Sequence, residues 1–364
     1  MRLTAFLFRI LFFSVVAFPV FAEESAYFPP AEAIAPTQVA PTQVAAANDS
    51  RQSVSAAVDS NSLHLVAEPN VVSSGNDAVL SNYWMASSRQ SVQTIHQRCR
   101  GPWGLNIQEL HCDGTSRNSS VTELSQQLVP GVPVCIFVHG SFVELQNQYV
   151  EAAGFYSALR GSNATPLQMI FFTWPSDGPY TGCFPLDVAV RGRQADFNGF
   201  HLASLISQIP ESCPVCLVGH SHGSRLILSA MHLAGGGTIE GYAFPYSMGA
   251  NRRYRVILAA GAMDHNWLNP GQHYECALNR IECLLNLQNR HDLALAAFPL
   301  SRPFGRRAVA RSGFTSRDVR TLGGNAAKLR DCDVTDLVGT KHYWPYYYRQ
   351  PGIIAAITPY IYFY

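Results

Sequence analysis

The sequence predicts an α/β domain over residues 79–364, with a mainly parallel central sheet covered by helices on both faces. Three observations predict it. Short apolar runs of strand length recur from Tyr83 onward. Stretches with apolar residues at three- and four-residue spacing separate them, as amphipathic helices require. Strands alternating with helices close most economically into a parallel sheet buried on both sides.

The apolar runs are Tyr83 to Ala86, Val134 to Val138, Met169 to Thr173, Val215 to Val218, Arg255 to Ala260 and Cys283 to Leu287, with a weaker one from Leu329 to Val334. Helical periodicity marks Gln148 to Leu159, Val188 to Ile209 and Ser224 to Ala234. The aromatic ending, Tyr360 to Tyr364, suits a last helix packed onto the sheet. Of the 364 residues, 47% are hydrophobic and 14% charged, the balance of a globular chain with one large core. A net charge of +1 gives no field to draw the protein onto nucleic acid or an anionic bilayer. A small-molecule substrate fits that balance better.

The first 22 residues read as an export signal. Arg2 precedes an apolar stretch from Ile10 to Phe21 that ends in Val20-Phe21-Ala22, the small-x-small pattern of a cleavage site. Arg9 and Pro19 interrupt the apolar run, which leaves it short for the roughly 20 residues of a membrane span. Export to the periplasm or beyond the cell is therefore expected, with stable membrane insertion unexpected. Residues 23–78 are rich in Ala, Ser, Pro, Gln and Val and contain the tandem APTQVAPTQVA, so a disordered tether is expected there.

Nine cysteines follow, and an oxidising compartment lets several pair. Sequence proximity suggests Cys99 with Cys112 and Cys276 with Cys283, while Cys135 reads as a small buried hydrophobe. Cys213-x-x-Cys216 has the spacing of half a zinc site or a redox pair. It lacks a second CxxC or a spaced histidine pair, so neither a metal nor another cofactor is expected.

The most informative segment is Val215-Cys216-Leu217-Val218-Gly219-His220-Ser221-His222-Gly223, which joins an apolar strand to a helix through G-x-S-x-G. Such a turn is tight enough to need small residues at Gly219 and Gly223, and it lifts the Ser221 hydroxyl to a helix N-terminus. Serine is a weak nucleophile at neutral pH, so it needs a base, an orienting acid and oxyanion donors. The strand ending in Val138-His139-Gly140-Ser141 offers the Ser141 amide as one donor, and the His222 amide as the other. His139 itself reads as a residue that shapes the loop.

In this arrangement the chain order is Ser, then acid, then His. Asp292 follows the run Cys283 to Leu287 and is the favoured acid; Asp264, after the run Arg255 to Ala260, is the alternative. Beyond Asp292 the chain has a single histidine, His342, in a loop after the last weak strand. His342 is therefore the expected base.

The motifs YWMASSR, FVHGSF, FFTWPSDG, VGHSHGSR, ILAAGAMDHNW, NRHDLAL and KHYWPYY, in this order, resemble a bacterial family of uncharacterised esterase/lipase-like α/β hydrolases over Tyr83 to Tyr348. The resemblance implies the α/β-hydrolase fold and Ser221, Asp292 and His342 as a triad, and leaves the substrate undefined; cleavage of a carboxylic ester in a small-molecule or lipid-like substrate is the expected reaction. At the oxyanion loop this chain has Ser141-Phe142 where those relatives carry Tyr-Asn. Residues 174–195 suggest a loop or small lid at the site mouth or, equally, a plain helix entry, and the arginines at 302, 306, 307, 311, 317 and 320 read as a contact for an acidic substrate or membrane surface or, more commonly, as a solvated face. Lipase, thioesterase and peptidase activities are variants of the same chemistry. A non-catalytic binding or adhesion module and thiol redox chemistry at Cys213 and Cys216 are readings from other classes.

Overall fold

The computed structural model describes residues 82–91, 93, 104–163, 165–178, 183–301 and 304–364. The expected signal segment, the tether, Cys99, residues 179–182 of the expected lid and Arg302 lie outside the described residues.

Nine strands form one sheet, in the order β11-β10-β9-β6-β4-β5-β1-β2-β3. They are β1 (Asn82–Ser87), β2 (Asn106–His111), β3 (Ser116–Ser119), β4 (Val134–Val138), β5 (Gln168–Thr173), β6 (Val215–His220), β9 (Tyr254–Ala259), β10 (Cys283–Gln288) and β11 (Leu329–Asp333). The short β7 (Thr238–Ile239) and β8 (Tyr242–Ala243) pair separately as a hairpin. From β1 to β11 the pairing is parallel through β5, β4, β6, β9 and β10. Only β2 and β3 add antiparallel strands at one edge.

The central strands are buried along their whole length, which is why β4, β5 and β6 read as continuous apolar runs rather than alternating ones. Their side chains divide between two cores. Val134, Ile136 and Val138 face one core with α3 (Phe184–Gln208) and α4 (His222–Ala234). Cys135 and Phe137 face the other, with α2 (Leu145–Ser162) and α5 (Pro351–Ile361). A shorter α1 (Val121–Gln127) starts at Ser120, whose side chain accepts from the Glu123 amide.

One expectation from sequence is corrected by this layout, and one rival reading loses its geometry. Cys276 and Cys283 are both free thiols, not a bridge. Cys276 lies against Gly235 at the end of α4, on one side of the sheet, while Cys283 meets Tyr360 of α5 on the other. Cys213 and Cys216 are likewise separated, each in a different core. Both are buried free thiols, and Cys213 donates to the Val129 carbonyl, so they form no redox pair or metal site. The partner expected for Cys112 lies outside the described residues.

The order of the strands decides where chemistry can occur. From β4 the chain crosses to β5 on one side and then to β6 on the other, so the carboxyl ends of β4 and β6 splay apart at a topological switch point. The β4 end carries His139-Gly140-Ser141 and the β6 end carries Ser221.

Candidate active site

Ser221 joins β6 to α4 with φ 52° and ψ −121°, a conformation that L-residues adopt at a cost of about 1–3 kcal/mol. Its neighbours hold it there. The Ser221 amide donates to Ala259 O at 2.9 Å, and the Ala262 amide donates to Ser221 O at 3.2 Å. A Cβ on Gly223 would lie 2.1 Å from Val138 O, and one on Gly219 would lie 2.6 Å from the Ser224 backbone. The two glycines are thus demanded by backbone closeness. A Cβ on Gly140 would come within 2.9 Å of Ser221 Cβ, so the loop after β4 presses against the serine itself.

The three residues expected to act together meet. His342 Nε2 lies 3.0 Å from Ser221 Oγ, and His342 Nδ1 lies 2.8 Å from Asp292 Oδ2. Asp292 is fully buried after β10, and its other oxygen accepts from the Leu295 amide at 3.0 Å. Asp264 is not at His342: it lies after β9, in an isolated bridge to Ala308.

Several supporting residues had no assigned place in the sequence. Asn289, fully buried, donates through Nδ2 to Gly339 O at 2.8 Å and to Lys341 O at 3.3 Å, tying the acid loop to the histidine loop. His220 Nε2 donates to His342 O at 2.7 Å. Burial holds the His220 imidazole neutral, with its pKa lowered to about 3. Below it Trp344 stacks on Phe137 at 5.0 Å, so KHYWPYY enters as an aromatic wedge rather than an exposed loop.

His139 shapes the loop after β4. Its Nδ1 donates to Gly140 O at 2.8 Å, leaving Nε2 to accept from the Trp174 amide at 3.2 Å. Burial lowers its pKa to about 3 as well. Arg89, at the end of YWMASSR, donates to Thr173 Oγ1 at 2.8 Å and to Val143 O at 2.9 Å and pairs with Asp177, bracing the same loop.

The amides of Ser141 and His222 have no hydrogen-bond partner among the described residues, whereas the Phe142 amide is taken by Ser176 O at 2.7 Å. Ser141 Oγ is also bonded to His222 Nδ1 at 2.8 Å, a side-chain link between loop and helix that backbone reasoning overlooked. Burial lowers the His222 pKa to about 3, so its ring is neutral too. Residues 184–195 of the expected lid belong to α3.

Residues 116–296 match the family described as alpha/beta hydrolase of unknown function (DUF900). The chain is an α/β hydrolase. No curated protein matches this hydrolase. Among solved structures it is similar to an acyl-protein thioesterase 2 from Zea mays, with 15% identity over 63% of this chain and 92% of that one and a TM-score of 0.37. It is also similar to an inhibited esterase B from Lactobacillus rhamnosis, with 10% identity over 76% and 84% and a TM-score of 0.36. The catalytic core domain of an acetyl xylan esterase from Trichoderma reesei has 14% identity over 62% and 98%, with a TM-score of 0.28. Among the described residues no group of side chains could hold a metal ion, and no helix is long and apolar enough to cross a membrane.

Proposed function

We propose that this hydrolase is a serine esterase, cleaving carboxylic esters through Ser221, His342 and Asp292. One observation carries the reading: the hydrogen-bonded line from Ser221 Oγ through His342 to the buried Asp292 carboxylate, 3.0 Å and 2.8 Å long. Each group has its role from its position. His342 Nε2 takes the hydroxyl proton as Oγ attacks the ester carbonyl, and Asp292 fixes the tautomer and stabilises the imidazolium that forms. The Ser141 and His222 amides receive the oxyanion at the N-terminus of α4, where developing negative charge is favoured. His342 then returns the proton to the leaving alkoxide. A water, deprotonated by the same imidazole, releases the acid and restores Ser221.

The same reading places the enzyme outside the cytoplasm, with residues 1–22 as a removed signal and residues 23–78 as a tether. An N-terminal sequence beginning at Glu23 in the exported protein is the expected result. For the chemistry, a fluorophosphonate probe should modify wild type at Ser221 and leave Ser221→Ala unlabelled. Asp292→Asn should keep the fold and lose on the order of 10⁴ in kcat, because the amide favours the wrong imidazole tautomer. p-Nitrophenyl esters of graded length, beside a thioester and an amide, would rank the bond types. Labelling of Ser221→Ala at the wild-type rate, or activity that survives it, ends the proposal.

A further inference from the structure

Beside the elbow lies a cavity of about 320 Å³ that the reaction above leaves without an occupant. Val188 and Arg193 of α3, His222 and Arg225 of α4, and Phe298 and Ser301 after β10 line it. Its volume sits at the low end of small-molecule sites, which run from roughly 300 to 1,000 Å³. A chain of a few carbons fits such a space better than a long acyl tail. His222, which follows Ser221 directly in the chain, links the cavity lining to the elbow.

The charged side chains that line the cavity are Arg193 and Arg225, and among the described residues no Asp or Glu lines it. Arg193 is exposed, and its guanidinium has no ion pair among the described residues. His222 is 4% exposed, and its Nε2 is buried without a hydrogen-bond partner among the described residues. In the tautomer in which the Ser141 hydroxyl donates to Nδ1, the ring proton sits on Nε2, a buried donor without an acceptor among the described residues. An unpaired buried donor is destabilising, and a bound oxygen would relieve that cost. Arg225 is held rigid by Asp196, at 2.7 Å and 2.5 Å, and stacks on Trp267 at 4.8 Å to the ring centre. Val188 and Phe298 supply an apolar wall for a short hydrocarbon stem.

We propose that this cavity seats a carboxylate carried by the substrate, so that the preferred esters are short and anionic. The inference deepens the esterase reading and rests on it. The carboxylate can belong to the acid or to the alcohol portion of the ester, and two matched pairs of substrates separate these sources. p-Nitrophenyl hemiglutarate is set against p-nitrophenyl valerate, and 4-acetoxybenzoate against 4-tolyl acetate. In one pair the purified full-length protein should favour the anionic ester by about tenfold in kcat/KM, the scale of discrimination a single added contact supplies. Added NaCl should erode that preference, and Arg193→Gln should lower the anionic-to-neutral ratio. Equal or greater turnover of the neutral ester in both pairs, or a ratio that Arg193→Gln leaves unmoved, overturns the inference while the esterase reading stands. If no ester is cleaved and no fluorophosphonate adduct forms, the esterase reading fails instead. Calorimetry of monomethyl glutarate with Ser221→Ala then decides the cavity separately: salt-sensitive binding weakened by Arg193→Gln supports it, and no binding overturns it.

Discussion

At the elbow, each position is fixed by backbone that cannot yield: Gly223 lies under Val138 O, Gly140 lies against Ser221, and Ser221 itself is bonded at both its amide and its carbonyl. At the cavity beside it, His222 and Arg225 of α4 make one wall, while the rest of the lining comes from side chains on α3 and on the segment after Asp292, where Arg193 is exposed. The contrast teaches where each property of the enzyme is stored. On the proposed reading, chemistry resides in parts whose alteration disturbs the sheet, and substrate choice draws also on side chains of α3 and of the segment after Asp292. Loops and helix ends can change without unsettling the scaffold that positions the reacting groups.

The sharpest way to break this contrast is to add one carbon on each side of it. Gly223→Ala would place a methyl 2.1 Å from Val138 O, so β4 and α4 must separate. We expect a loss of stability of about 3 kcal/mol or more, read by urea unfolding, together with collapse of esterase activity. Ala189→Val on the cavity wall should instead reorder the ester preferences and shift stability by no more than about 1 kcal/mol. If both variants behaved alike, the division between rigid machinery and adjustable pocket would be wrong.

Acid should strike the machinery first. His139, His220 and His222 are each lowered to about 3 by burial, whereas a histidine in the unfolded chain titrates near 6.5. Between those values the unfolded chain binds protons that the folded one refuses, so stability must fall as pH drops from 6.5 towards 3 and must be insensitive to these groups above 7. Each histidine contributes a slope of about 1.4 kcal/mol per pH unit in that window. Calorimetric unfolding at pH 5 in buffers of different ionisation heat should register an uptake approaching three protons. An uptake near zero would mean that these rings are not sealed from solvent.

Much of this architecture was legible in the residues because its strongest constraints are local. The run VCIFV fixed a fully buried strand, and VGHSHG implied a strand, a strained turn and a helix, each of which forms. The edge strands β2 (NIQELH) and β3 (SRNS) were not legible, because an edge strand is half solvated and its polar composition mimics a loop. The expected disulfide failed for a related reason: only six residues separate Cys276 from Cys283 in the chain, but the sheet lies between their side chains. Ser221, Asp292 and His342 could be ordered from chain position alone. The bonds that steer the base could not, since Asn289 and His220 reach carbonyls about fifty and more than a hundred residues away.

Asn289 offers the finest probe of how the machinery is held. Its amide bonds Gly339 and Lys341, one turn before His342, and its Oδ1 accepts from the His291 amide at 3.1 Å beside Asp292. It touches neither Ser221 nor the cavity, so it acts as a positioning residue. Asn289→Ala leaves the Gly339 and Lys341 carbonyls without their shared donor and frees the loop to drift. Because a displacement of about 1 Å in a catalytic group can cost as much as 10²-fold, kcat should fall between about tenfold and a hundredfold. KM for a neutral ester should stay nearly constant, since the cavity is untouched, and fluorophosphonate labelling should slow in proportion to kcat. A parallel rise in KM, or an unchanged kcat in a variant that unfolds at the wild-type temperature, would show that the histidine loop is held by its aromatic wedge alone.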